Sequence, residues 1–228
     1  MKNTGKKTPV KPRTGQSRQT VQLKKTKTKA VAGKVKAKRR SPSRQYDRLD
    51  ESMYMEQEEK DAFFDAITSK RDTAIFRVVY HRGLRAHEVG LLQLSDFRKD
   101  KLQVHRGKGS LSGWHSLTRA EMRALNLWVR ERGTDKGPLF PSRNHQPITR
   151  QRLDQLIKRY CADAGIAPEK AHMHALKHST GTHLAERGDL ADEIKDHLGH
   201  RDIKSTNIYM HFSKKRRAEM ALRHLDWK

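Results

Sequence analysis

From Gln57 onward the apolar residues recur at three- and four-residue spacing, and a glycine closes run after run. Amphipathic helices packed on a shared core satisfy such a pattern. Phe63, Phe64 and Ile67 mark a first buried face, and Ile75, Val78 and Val79 mark a second over 72–81, with Gly83 placed to end it. A short helix is expected over 86–92. The period then changes to two: Phe97, Leu102 and Val104 alternate with polar residues, Arg106-Gly-Lys-Gly-Ser110 supplies a hairpin turn, and a strand over 114–117 returns. Thr118 and Glu121 form a capping box that opens a helix to about Arg132. After a loop punctuated by Pro138, Pro141 and Pro147, Thr149 starts a helix with Leu153, Leu156, Ile157 and Tyr160 on one face. Further helices are expected over 174–187, stopped at Gly188, over 190–198, stopped at Gly199, from about Lys204, and over 214–225. The fold class is therefore mainly α with a small antiparallel β-sheet (α+β).

The first 45 residues cannot join such a core. They hold 11 Lys and 5 Arg without one Asp, Glu or aromatic residue, and their few Val, Leu and Ala follow no period. So little apolar surface cannot offset the entropy of ordering the chain. Residues 1–45 are expected to be a disordered basic tail, carrying +16 of the chain's +24 and leaving +8 on the rest, 34 basic residues against 26 acidic. An acidic linker over 46–56 begins a charge reversal that runs on to Asp61, and 57–228 form one domain. Charge of this size points to a polyanion, since each Lys or Arg set against a phosphate releases condensed counterions. Lys24, Lys25, Lys36, Lys38, Arg39 and Arg40 are the candidate DNA-binding residues of the tail. With no apolar run, lipidation site or h-region, the tail argues against membrane attachment and against a secretory signal. Cys161, the single cysteine, excludes an internal disulfide and fits a reducing compartment. The expected location is cytoplasmic, with the DNA of the nucleoid.

Four separated pieces carry chemistry: Gly83-Leu-Arg-Ala-His-Glu88, Gly107-Lys-Gly109, His174-Ala-Leu-Lys-His178, and Leu198-Gly-His200 followed nine residues later by Tyr209. Alone, each piece is bland, because a Lys in a glycine turn is usually solvated and a Tyr on a late helix usually packs. As an ordered set they resemble the phage-integrase family of tyrosine recombinases. That family has an Arg after a Gly-Leu pair, a Lys on a β-hairpin, a His-x-x-Arg helix start, a Leu-Gly-His, and a nucleophilic Tyr nine residues on. The resemblance runs from roughly Glu56 to the C-terminus. Rival motifs fit less well. His174 and His178 have the spacing of a zinc pair but lack the Glu that zinc hydrolases place after the first His, so no metal is expected. Gly107-Lys-Gly-Ser lacks the Lys-Ser/Thr and the upstream Gly of a P-loop. A helix-turn-helix over 189–209 rests on Gly199 alone.

The resemblance implies a DNA strand transferase that needs neither metal nor ATP and no other cofactor. Tyr209 would attack the scissile phosphate and keep the bond energy in a 3′-phosphotyrosine. Charge then builds on the non-bridging oxygens, where Arg85 could bond two at once. Lys108 would protonate the leaving 5′ oxygen. His174 would accept the phenol proton or donate to the phosphate, His200 would be a further donor, and Glu88, three residues after Arg85, would orient the guanidinium or a neighbouring His. The implied function is integration, excision or inversion of a mobile element, with a non-catalytic DNA-binding regulator on the same fold as the alternative. The implied partners are double-stranded DNA, three further copies in a homo-tetramer on that DNA, and an accessory DNA-bending protein. Met220, Leu222, Leu225 and Trp227 could dock the last helix on a neighbouring subunit or on its own domain.

Two departures from the family pattern stand out. Lys177 occupies the place of the family's second arginine, keeping the charge but losing the fork. Family members usually also carry a helical core-binding domain ahead of the catalytic one, and the roughly 55 residues before the first helix are too few and too polar for it. The basic tail is the expected substitute grip on the DNA backbone.

Overall fold

Eight helices and one small sheet make up the described part of the chain, which in this computed structural model comprises residues 53–107, 110–210 and 221–222. The basic tail, most of the acidic linker, Lys108 and all of the expected last helix except Ala221 and Leu222 lie outside the described residues. In chain order the elements are α1 (Gln57–Asp65), α2 (Lys70–Arg82), α3 (Ala86–Leu91), β1 (Phe97–Arg98), β2 (Lys101–Val104), β3 (Gly113–Ser116), α4 (Arg119–Arg132), α5 (Arg150–Asp163), α6 (Met173–Arg187), α7 (Ala191–Leu198) and α8 (Lys204–Met210). The sheet is antiparallel in the order β1-β2-β3, with Leu102 opposite His115 and Gln103 opposite Trp114. The mainly helical class with a small antiparallel sheet is the architecture found.

Local chemistry sets the helix ends. The Ser69 hydroxyl accepts from the Asp72 backbone N–H at 3.4 Å, so α2 starts at Lys70, two residues before the expected start at 72. At its other end Gly83 takes a left-handed conformation, φ 55°, and turns the chain toward Arg85. The expected capping box at α4 is present: Thr118 Oγ1 accepts from the Glu121 N–H and Glu121 Oε2 accepts from the Thr118 N–H. Helix α6 begins one residue earlier than its sequence suggests, because the His172 ring caps it, Nδ1 accepting from the Ala175 N–H at 3.0 Å. The returning strand likewise sits one residue earlier, Gly113–Ser116, with Leu117 buried beyond its end.

The core is built on aromatic edges. Phe76 meets Phe63 edge-on at 5.2 Å and Tyr160 at 6.1 Å, and the Tyr160 hydroxyl donates to buried Asp72 at 2.8 Å. A second, much smaller cluster, Ala185, Ile194, Leu198 and Tyr209, holds α7 and α8 against α6. Helix α6 connects the two clusters and packs on α2, α5, α7 and α8. It is buried nearly all round although Lys177, Ser179, Thr180, Thr182 and His183 are polar. Several of those side chains have internal partners: Ser179 Oγ accepts from the Met55 N–H at 2.8 Å, Thr180 Oγ1 donates to the Tyr80 carbonyl, and His183 Nδ1 pairs with the Tyr80 hydroxyl at 2.8 Å, whereas Thr182 Oγ1 is buried without a partner among the described residues. Among the described residues no helix is long and apolar enough to cross a membrane.

Candidate active site

Arg85 is delivered by the turn at the end of α2. Leu84 plugs the core at 0% exposure, and Arg85 becomes the N-cap residue of α3. Its backbone N–H donates to Glu88 Oε2 at 2.8 Å, and its Nη1 donates to Glu88 Oε1 at 3.0 Å and to Ser110 Oγ at 2.8 Å. Glu88 is fully buried. Burial pushes its carboxyl up, but the Arg85 N–H, Arg106, Lys177 and the Arg85 guanidinium together hold it below the ordinary carboxylate range. Glu88 is thus an anion in the interior that fixes one edge of a half-exposed guanidinium and leaves the other edge open.

Arg85 also lines a cleft of about 560 Å³, together with His87, Arg150, Asp154, His172 and His174. His174 is exposed at the start of α6, and burial followed by the charge of Lys177 pushes its imidazole below the usual value. Lys177, one turn on, points away from solvent. It is 5% exposed, and its Nζ donates to the Gly83 carbonyl at 2.8 Å and the Leu198 carbonyl at 3.4 Å. Burial, then Arg106 and Arg85, push its ammonium down to about 7.

Tyr209 sits on α8 at 1% exposure, its ring laid on Gly181 of α6 so closely that a Cβ there would fall 2.5 Å from Cζ. The His200 ring lies nearly parallel to it, 14° apart with centroids at 6.4 Å, and the Tyr209 hydroxyl is 3.2 Å from His178 Nδ1. Burial pushes the phenol well above its usual value. Gly199, left-handed at φ 64°, ends α7 and presents His200, whose Nδ1 pairs with Thr206 Oγ1 at 3.0 Å. Burial followed by Lys177 and Arg85 pushes His200 down to about 3, and burial with His174 and Lys177 pushes His178 down to about 4. Around a neutral phenol there are therefore neutral imidazoles at pH 7, close to the guanidiniums of Arg85 and Arg106 and to the Lys177 amine.

The structure gathers Arg85, Glu88, His174, Lys177, His200 and Tyr209 into one region. Lys108 lies outside the described residues, as do Lys24, Lys25, Lys36, Lys38, Arg39 and Arg40. The hairpin beside Lys108 is anchored to the site, since the Gly107 N–H donates to Glu88 Oε1 at 3.4 Å and the Leu111 N–H donates to the Gly199 carbonyl at 3.2 Å. Two residues of the site are not among those the sequence pointed to. His178 has a signal in its four-residue spacing from His174, but that spacing suggests a metal pair first. Arg106 has one too, because it continues the inward face of Leu102 and Val104, and its side chain is 0% exposed. Among the described residues no three His, Cys, Asp or Glu side chains are placed to hold a metal ion.

A helical domain with a three-stranded antiparallel sheet, an arginine at a left-handed turn and a tyrosine on a late helix has the fold of tyrosine recombinase catalytic domains. The XerA recombinase crystal structure matches it with a TM-score of 0.66 at 24% identity, covering 75% of this chain and 63% of that one. The phage integrase family model matches residues 53–216, and the chain belongs to that family, the tyrosine recombinases. Tyrosine recombinase XerC of Erythrobacter litoralis is 35% identical over 157 residues, 68% of this chain and 51% of the relative. Type 1 fimbriae regulatory protein FimE of Escherichia coli K12 is 31% identical over 167 residues, 68% of this chain and 84% of the relative. This chain thus spans about half the length of XerC and most of FimE.

Proposed function

We propose that this chain is a site-specific DNA recombinase that cuts and rejoins duplex DNA through a 3′-phosphotyrosine at Tyr209. The observation that carries this reading is the placement of the Tyr209 hydroxyl 3.2 Å from the neutral His178 imidazole, in a region where Arg85 and His174 line a cleft. Phosphate enters that cleft and meets the open edge of the Arg85 guanidinium. The phenol proton passes to an imidazole, His178 by distance or His174 across the cleft. The phenol oxygen then bonds phosphorus while the bond to the 5′ oxygen breaks. Lys108 gives that oxygen its proton, and Arg85 and His200 stabilise the charge on the non-bridging oxygens. Since Tyr209 is buried, attack requires α8 to leave its seat on Gly181, which the small size of the cluster around it makes inexpensive.

Double-stranded DNA is the substrate in this reading, gripped in part by the basic tail, and four copies assemble on two recombining sites to move or invert a mobile element. A second reading, a DNA-binding regulator that does not cleave, draws on the buried phenol and on the regulatory name of the FimE relative. Incubation with a nicked suicide duplex carrying the protein's own flanking DNA separates the two. A covalent adduct formed by the native protein and absent in Tyr209→Phe supports the recombinase. Binding without any adduct overturns it in favour of the regulator.

A further inference from the structure

Arg106 has no exposed atom in its side chain, and both of its terminal nitrogens donate to the protein's own backbone while Nε is buried without a partner among the described residues. It leaves the end of β2 and turns inward, where Nη2 donates to the Arg82 carbonyl at 2.7 Å and the His197 carbonyl at 3.2 Å. Its Nη1 donates to the Gly83 carbonyl at 3.4 Å and lies 3.7 Å from Glu88 Oε2. These acceptors come from two helix C-termini that converge on one guanidinium, the end of α2 that leads to Arg85 and the end of α7 that leads to His200. The last carbonyls of a helix lack intrahelical partners and carry the negative end of its dipole, so a cation between two such ends answers both needs. Close approach by the chain completes the seat: a Cβ on Gly199, immediately before His200, would fall 2.5 Å from Arg106 Nε.

We propose that Arg106 is a positioning residue of the active site, which sets the spacing between the Arg85 arm and the His200 arm by tying the ends of α2 and α7 to one guanidinium. This inference rests on the recombinase reading for its catalytic consequence. Its geometry demands an arginine, because acceptors on three sides need the fan of donors on a planar guanidinium, while a lysine ammonium at the same place reaches only part of the set. Lys177 bonds the same Gly83 carbonyl from the side of α6 and takes Leu198 as well. The two cations thus form a brace beneath the site, with buried Glu88 as their shared counter-charge. Arg106 touches no phosphate in this arrangement. It acts by holding two groups that do.

The test uses the full chain with Arg106→Lys and Arg106→Met, at a temperature where circular dichroism finds each variant folded. Adduct formation is followed in single turnover at increasing protein concentration, so that the rate at saturation separates from the half-saturating concentration. A positioning role predicts a saturating rate reduced about a hundredfold in Arg106→Met and about tenfold in Arg106→Lys, as loss of transition-state stabilisation alone would give, with half-saturation within about threefold of native. Should Arg106→Met fail to fold, the lysine variant decides alone. Arg106→Lys at the native rate, or a rate and a half-saturating concentration that worsen in equal measure, overturns the inference. A second readout does not depend on activity: the imidazole Cε1–H resonance of His200 shifts in the lysine variant, while that of His145, exposed on the turn between Pro141 and Pro147, stays in place. An unmoved His200 resonance also overturns it. No adduct with the native protein would refute the recombinase reading instead, and the His200 resonance would still decide whether Arg106 sets this geometry.

Discussion

Replacing Lys177 by arginine should change how the reaction depends on pH, not only its rate. The Lys177 ammonium is 5% exposed, and burial with Arg106 and Arg85 depresses it from 10.5 to about 7 against the opposing pull of Glu88. A depression of three to four pH units corresponds to roughly 4–5 kcal/mol against the charged form. The folded pKa is lowered, so the neutral amine is favoured in the folded chain. Stability contributed by this group is complete above the unfolded value of 10.5 and is lost as pH falls toward about 7, below which no further loss follows. Near pH 6 the free protein therefore carries a cationic Lys177, and near pH 8.5 a mostly neutral one. If the charge assists the transition state, the native rate loses up to about tenfold per pH unit above 7 relative to Lys177→Arg, whose guanidinium stays charged throughout. At pH 6 the two differ only by the fork, and one added charge-assisted hydrogen bond of about 1.5–3 kcal/mol favours arginine by about ten- to a hundredfold. The assay is single-turnover adduct formation on a suicide duplex between pH 5.5 and 9. Taking the ratio of the two rates cancels the titrations they share, such as those of Tyr209 and His174. A ratio that stays flat over the whole range would refute the reasoning, because Lys177 would then not change charge where its burial requires.

Gly181→Ala places a methyl 2.5 Å from the Tyr209 ring, so the ring must leave its seat. The phenol, held above 10 by burial, should then titrate nearer its ordinary value, which difference absorbance against Tyr209→Phe would detect. Arg82 and Glu121 form a buried pair through two hydrogen bonds of 2.8 and 2.7 Å, and Arg82→Met strands the carboxylate, so denaturant unfolding should reveal a loss of about 3–5 kcal/mol. A loss below about 1 kcal/mol would mean that Glu121 finds water or another partner. Deleting residues 1–45 removes 16 positive charges, and the dependence of log affinity on log salt should become shallower by about 0.9 for each phosphate the tail neutralises in the full chain. Equal slopes for the two proteins would remove the tail from the interface.

Much of this molecule is legible before any coordinates exist. The periodic faces of α2 and α5 can be read because each buries one side only, and one end each of α2, α4 and α5 because Gly83, Thr118 and Thr149 act within a few residues of where they stand. The order and spacing of Arg85, Lys108, His174, His200 and Tyr209 carry the family on their own, since chemistry at a phosphate admits few residue types. Helix α6 resists the same treatment. Its polar residues are buried, so the hydrophobic period that marks the other helices is absent, and the partners that satisfy them lie as far away as Met55 and Tyr80.

What the sequence determined by itself was the class of fold and the family, because both follow from short-range spacing and residue type. Only tertiary structure decided how the site is held: Lys177 turned onto the Gly83 and Leu198 carbonyls, Arg106 drawn between two helix ends, and Tyr209 seated on Gly181 with His178 at its hydroxyl. Each of these pairs joins segments distant along the chain, and a buried charge or phenol takes the partner that packing brings to it, which no local pattern encodes.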